Sequence, residues 1–73
     1  MTLDMVPKGQ EVVIKSIKNK NAKIYALRFG ISEGSKVKCI GKIKNGPVIL
    51  RKNHQEIAIG QGFAKEIEVE IHK

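Results

Sequence analysis

The 73-residue sequence has no tryptophan, three aromatic residues in all, three leucines and a single cysteine, Cys39. One cysteine cannot form an intramolecular disulfide, and small secreted domains usually carry several, so the cysteine count favours a cytoplasmic protein. Unbroken apolar runs are only a few residues long, whereas a membrane-spanning helix needs about 20. The N-terminal residues also lack the apolar segment of a signal peptide. We therefore expect no insertion into a membrane.

Isoleucine and valine dominate the apolar residues, with eleven isoleucines and six valines. Branching at Cβ restricts χ1 in helices and suits the pleated surface of a sheet, so this composition predicts a mostly β protein. The length allows one domain over residues 1–73, and so short a chain buries only about 60% of the surface that its unfolded form exposes. A multi-step enzyme with a deep cleft is therefore not expected.

Positive charge exceeds negative charge, because fourteen lysines and arginines stand against seven acidic residues, a net charge of +7. Four of the lysines alternate along one predicted strand: Lys36, Lys38, Lys42 and Lys44. Basic surfaces attract polyanions, which makes RNA or DNA binding the alternative function. Twelve of the fourteen cations are lysines, however, whereas base readout prefers arginine, and no aromatic residue interrupts the row for bases to stack on. We therefore favour a solvated lysine face.

Alternating apolar residues and turn residues predict five short strands. Their ranges are 10–18, 35–44, 48–52, 55–59 and 65–71, with one helical turn within 60–64. Asn45-Gly46 predicts a type I′ hairpin turn between the second and third strands. Short antiparallel strands avoid open edges by curling, so the predicted fold is a small SH3-like barrel of about five antiparallel strands. An OB-fold is the second choice, because the predicted helix lies between the first two strands.

That single short helix is predicted over residues 22–29, with Asn21 as its N-cap. Ile24 and Leu27 are three residues apart, a spacing that puts them on one face, and we expect this face to meet the core. Gly30 ends the predicted helix and Gly34 turns the chain into the second strand. Both glycines are expected to have a positive φ, which residues with a Cβ resist.

The other side of the predicted helix carries the candidate partner-binding residues, Lys23, Tyr25 and Arg28. Tyrosine and arginine are enriched among the residues that dominate binding energy in protein interfaces. A competing interpretation is that Tyr25 only covers the open end of the barrel. The two interpretations of Tyr25 predict different exposures of its ring.

The sequence contains no pattern of catalytic or metal-binding residues. Its serines have no histidine or acidic partner at a spacing that would support nucleophilic catalysis. Cys39, His54 and His72 fall on different predicted elements, without the spacing of metal ligands. We expect no enzymatic activity, no cofactor and no tight intramolecular metal site.

The run from 27 to 37 contains Leu27, Gly30, Ile31, Gly34 and Val37 in the spacing L-x-x-G-[IL]-x-x-G-x-x-V. This run resembles the signature of the ferrous iron transport protein A (FeoA) family. Other segments match the same family in order: Gly9 with Val13, Ile14 and Ile17, then Gly46-Pro47-Val48, then Ile57-Ala58-Ile59, Ala64, Ile67 and Val69. The resemblance extends over nearly the whole chain.

The resemblance implies an SH3-like barrel, a cytoplasmic location and an accessory role in bacterial ferrous iron uptake. The implied partner is the membrane permease FeoB, through which the protein would lie at the inner membrane without inserting into it. At the level of the family, the resemblance also implies transition metal ion binding. The expected function is a non-catalytic protein-interaction module, and RNA or DNA binding through the lysine row is the alternative.

Overall fold

Five strands form one antiparallel sheet in a computed structural model of the chain, which describes residues 1–72. In chain order the elements are a 3₁₀ turn (Leu3–Met5), β1 (Glu11–Ile17), α1 (Lys20–Arg28), β2 (Lys36–Lys42), β3 (Val48–Lys52), β4 (Gln55–Ile59), α2 (Gln61–Ala64) and β5 (Ile67–Ile71). The order of strands in the sheet is β4-β3-β2-β1-β5. The helix α1 lies between the first two strands, so the prediction of a mostly β fold with this connection is confirmed. No helix within the described residues is long and apolar enough to cross a membrane.

The inward side chains of all five strands form the core together with residues of the 3₁₀ turn, α1 and α2. Fully buried members with the largest side chains are Leu3, Val6, Val12, Ile14, Ile31, Cys39, Leu50, Ile59 and Ile67. None of the described polar or charged side chains is buried, so the core needs no internal polar network. The N-terminal residues also protect an edge of the sheet, because the N–H of Val69 in β5 donates to the carbonyl of Met1 at 2.8 Å.

Two register shifts interrupt the ladders. One lies in β1 between Ile14 and Ser16, and the other lies in β2 between Cys39 and Gly41. A bulge shifts the alternation of the strand beyond it, and β2 ends soon afterwards. Strict alternation from Val37 and Cys39 would place Ile43 in the core, but its side chain is 57% exposed. Alternation from Ile67 and Val69 would likewise place Ile71 in the core, but Ile71 is 46% exposed where β5 ends.

The turn between β2 and β3 differs from the predicted type I′ turn. Asn45 has a φ of 58°, but Gly46 has no positive φ, and a type I′ turn needs both. The N–H of Gly46 donates to the carbonyl of Ile43 at 2.8 Å. A Cβ on Gly46 would lie 3.0 Å from Cγ2 of Ile43, so the glycine permits a close approach to that side chain.

The helix α1 begins two residues earlier than predicted, and its N-cap is Asn19. Oδ1 of Asn19 accepts a hydrogen bond from the N–H of Ala22 at 3.0 Å, so the prediction of Asn21 as the cap is wrong. Both asparagines suit a cap by residue type. The N–H of Lys18 donates to the carbonyl of Glu66, so the chain is still paired with a neighbouring segment at residue 18. The helix begins two residues later, at Lys20.

The face of α1 that meets the barrel is also the reverse of the prediction. Ala22 and Ala26 are buried, whereas Ile24 and Leu27 are 48% and 56% exposed. Residues 22 and 26 are four apart and residues 24 and 27 are three apart, so both pairs satisfy the period of a helix. Small side chains face inward because the helix backbone lies close to the barrel. Helical spacing alone could not distinguish the two faces.

The segment after α1 has the predicted glycine conformations. Gly30 has a φ of 74° and Gly34 a φ of 91°, the left-handed region expected for both. The N–H of Ile31 donates to the carbonyl of Ala26, which closes the end of the helix. The N–H of Gly34 then donates to the carbonyl of Ile14 at 2.8 Å and joins the segment to β1.

Candidate docking site on the first helix

The outward face of α1 combines exposed apolar side chains with positive charge. Ile24 and Leu27 lie side by side on the helix surface, and both are about half exposed. The exposed cations Lys23 and Arg28 flank them, and no acidic residue lies anywhere in α1. We call these four residues, Lys23, Ile24, Leu27 and Arg28, the α1 face.

Tyr25 separates the α1 face from the barrel and is half-buried against the core. Its hydroxyl donates to the carbonyl of Ala58 in β4 at 3.1 Å. Its ring centroid lies 5.2 Å from that of Phe29 and 5.4 Å from that of Phe63, both in tilted arrangements typical of stabilising aromatic pairs. Tyr25 therefore joins α1 to β4 and α2, so its ring is held in place and only its outer edge is available to a ligand.

A shallow cavity of about 230 Å³ opens between α1 and α2. It is lined by Asn21, Ile24, Tyr25, Arg28 and Phe63. The lining combines one aliphatic and two aromatic side chains with an amide and a guanidinium, which suits an apolar group that carries a hydrogen-bond acceptor or a negative charge.

The structure brings together two of the three predicted partner-binding residues, because Tyr25 and Arg28 both line the cavity. Lys23 is exposed and lies outside the lining. Ile24 and Leu27 are not among the predicted partner-binding residues, because their spacing was expected to place them in the core. The alanines at 22 and 26 were the signal that could have identified the inward face.

The predicted lysine row does not form one continuous surface. Lys38 lies opposite Glu11 on β1 and Arg51 on β3, and Arg51 forms an ion pair with Glu56 at 2.9 Å. Beyond the bulge, Lys42 donates from Nζ to the backbone carbonyl of Asp4 at 2.8 Å. The positive charge of the first half of the row is thus interleaved with carboxylates, and the second half belongs to another part of the surface.

The three side chains considered as metal ligands lie apart. Cys39 is buried, with its Sγ 3.7 Å from the carbonyl oxygen of Val6, while His54 is exposed in the turn between β3 and β4. His72 follows β5, where its N–H donates to the carbonyl of Glu11. Within residues 1–72 there is no group of three or more histidine, cysteine, aspartate or glutamate side chains that could hold a metal ion.

Comparison with protein families gives a match over residues 1–71 to the model of the FeoA domain. The chain belongs to the FeoA family. A curated FeoA-family relative from Methanocaldococcus jannaschii, named "Putative Fe(2+) transport protein A", is 41% identical over 69 residues, which cover 93% of this chain and 83% of the relative. The assignment to ferrous iron transport therefore agrees with the resemblance seen in the sequence.

Solved FeoA structures have the same fold. A crystal structure of an iron uptake regulatory protein (FeoA) matches with a TM-score of 0.88 and 22% identity, over 99% of this chain and 97% of that one. FeoA from Stenotrophomonas maltophilia, complexed with zinc and described as a prokaryotic SH3 domain protein, matches with a TM-score of 0.80 and 21% identity, over 96% of this chain and 89% of that one. The predicted SH3-like fold is confirmed.

Proposed function

We propose that this FeoA-family protein is a non-catalytic interaction module that binds the membrane permease FeoB in ferrous iron uptake. In this proposal it is cytoplasmic and reaches the inner membrane through its partner. Membership of the family supports a role in ferrous iron transport. The S. maltophilia relative is described as a candidate activating factor of bacterial ferrous iron transport, which supports an accessory role.

The exposure of Ile24 and Leu27 is the observation that carries this proposal. A small domain with a limited core would gain stability by burying both, yet their side chains are 48% and 56% exposed on a regular helix. Exposed apolar side chains grouped on one element are typical of interaction sites, whereas single ones are ordinary. Arg28 and the edge of Tyr25 add the residue types that are enriched among interface hot spots.

The charge of α1 indicates the chemistry of the partner segment. Lys20, Lys23 and Arg28 all lie on this helix, and no carboxylate of the helix compensates them. An acidic segment with one apolar side chain fits best. The apolar side chain would enter the cavity beside Phe63, and a carboxylate would meet the guanidinium of Arg28, while Lys23 would contribute at the rim.

The test is capture of full-length FeoB, purified in a neutral detergent, by immobilised protein. Leu27→Ser removes an exposed contact, and we expect it to weaken binding by about 30-fold, the loss typical of a hot-spot residue. Ile43→Ser is the matched control, because Ile43 is exposed to the same degree, 57% against 56%, but lies on the hairpin between β2 and β3. The control should bind like the unmodified protein.

Arg28→Ala is a second variant for the same capture experiment, since it removes the guanidinium that lines the cavity. Tyr25→Ala is unsuitable for this purpose, because it would also remove the contacts that hold α1 to the barrel. Equal binding by the unmodified protein, Leu27→Ser and Arg28→Ala would contradict docking through α1. Absence of any capture would contradict the permease as partner.

A further inference from the structure

A second group of exposed apolar side chains lies on the 3₁₀ turn and at the C-terminal end of β2. Met5 in the 3₁₀ turn is 64% exposed, and Ile43 at the start of the β2–β3 turn is 57% exposed. The hydrogen bond from Nζ of Lys42 to the carbonyl of Asp4 holds these two segments together at 2.8 Å. Met5 and Ile43 each follow one partner of this bond in sequence, so the bond joins the two segments that carry them.

Three lysines accompany these apolar side chains: Lys8 follows Met5 by three residues, and Lys42 and Lys44 flank Ile43. We call Met5, Lys8, Lys42, Ile43 and Lys44 the tip patch. None of the three salt bridges within residues 1–72 involves a lysine of the tip patch. Asp4 directly precedes Met5 and is the one acidic residue among the first ten, so lysine charge exceeds acidic charge in these two segments.

We propose that the tip patch docks on an anionic lipid bilayer. In this arrangement Met5 and Ile43 enter the boundary between headgroups and acyl chains, and Lys8 and Lys44 contact the anionic headgroups. Apolar side chains with neighbouring lysines bind membranes in this way, because apolar burial and electrostatic attraction act together. Ile43 lies beside a hairpin turn and Met5 on a single helical turn, so both project from short segments that can enter a soft surface.

Single tryptophan reporters test the contact, since the chain has no tryptophan of its own. Met5→Trp and Ile43→Trp place reporters in the tip patch, and Leu27→Trp is the control on α1. We expect a blue shift of the Met5→Trp and Ile43→Trp emission on mixing with vesicles of phosphatidylcholine and phosphatidylglycerol. No shift is expected with pure phosphatidylcholine, nor for Leu27→Trp with either kind of vesicle.

Two charge variants separate docking by the tip patch from attraction by the net charge alone. Lys8→Gln with Lys44→Gln should lower the partition coefficient onto the mixed vesicles by about fivefold for each lysine. Lys36→Gln with Lys38→Gln removes the same charge from the outer face of β2 and should lower it less. Equal losses in the two variants, a blue shift at Leu27→Trp alone, or no binding to mixed vesicles would overturn the proposal. None of these results would affect capture of FeoB in detergent.

Discussion

Among single residues, those with a left-handed backbone do not all require glycine to the same degree. Asn45 and Asn53 have φ values of 58° and 57°, inside the small left-handed region that asparagine tolerates. Gly34 has a φ of 91°, outside that region, although no atom lies within 4 Å of where its Cβ would be. Its requirement for glycine is therefore conformational and has no contribution from crowding.

We expect Gly34→Val to lower the free energy of unfolding by about 1–3 kcal/mol, because a β-branched residue at this φ is strained. Gly62→Ala in α2 is the control, since Gly62 has no positive φ and also has open space around it. Alanine there should leave stability unchanged or raise it. Urea unfolding followed by circular dichroism measures both, and equal stability of the two variants would contradict the strain argument.

At the scale of elements, α1 is attached to the barrel by small residues and by a few long-range contacts. Ala22 and Ala26 pack inward, the hydroxyl of Tyr25 binds β4, and Nζ of Lys52 binds the carbonyl of Gly30. Tyr25 is only partly buried against the core and no large side chain of this helix is fully buried, so the ends of the helix matter correspondingly more. Ile24 and Leu27 remain available to a partner, because Ala22 and Ala26 are the residues of this helix that are buried.

The N-cap is the end most easily tested. Asn19→Ala should lower the free energy of unfolding by about 1 kcal/mol, because it removes the acceptor for the N–H of Ala22. Asn21→Ala should change it by less than about 0.5 kcal/mol, since Asn21 is an exposed residue within the first turn. Thermal unfolding of the two variants distinguishes them. A larger loss from Asn21→Ala would place the cap two residues later, as the sequence alone suggested.

At the scale of the whole molecule, the net charge of +7 is distributed unevenly. Residues 1–54 carry twelve cations and three acidic residues, whereas residues 55–73 carry two and four. The outer face of the sheet mixes positive and negative charge, since Glu11 and Glu56 lie beside the cations of β2 and β3. This mixing weakens the case for a nucleic-acid surface, which would use an uninterrupted positive groove.

We therefore expect RNA and DNA binding to be non-specific, with Kd about 10⁻⁴–10⁻⁶ M at physiological salt. The logarithm of the affinity should fall linearly with the logarithm of the salt concentration, because neutralised phosphates release counterions. Lys36→Ser with Lys38→Ser should weaken this binding without a change in any sequence preference. Fluorescence anisotropy with labelled strands measures it. Submicromolar binding with a sequence preference would instead support the alternative function.

The sequence by itself determined the residues that build the barrel and the places where the chain turns. Strands β3 and β4 have the predicted bounds, and Gly30 and Gly34 have the predicted conformations. These features are local, because side-chain alternation and a glycine that must be left-handed depend on neighbouring residues alone. The order of the glycine and apolar spacings along the chain was also sufficient to suggest the family.

Only the tertiary structure decided which face of α1 is exposed and whether the side chains at the ends of β2 and β5 enter the core. Two sets of residues on α1 fit the helical period, and the choice between them depends on the distance between the helix and the barrel. Small residues at 22 and 26 satisfy that distance, so Ile24 and Leu27 are left exposed. The bulge in β2 likewise turns Ile43 outward, because pairing with β3 sets the register. Both surfaces proposed to bind partners thus come from long-range packing, which no local pattern specifies.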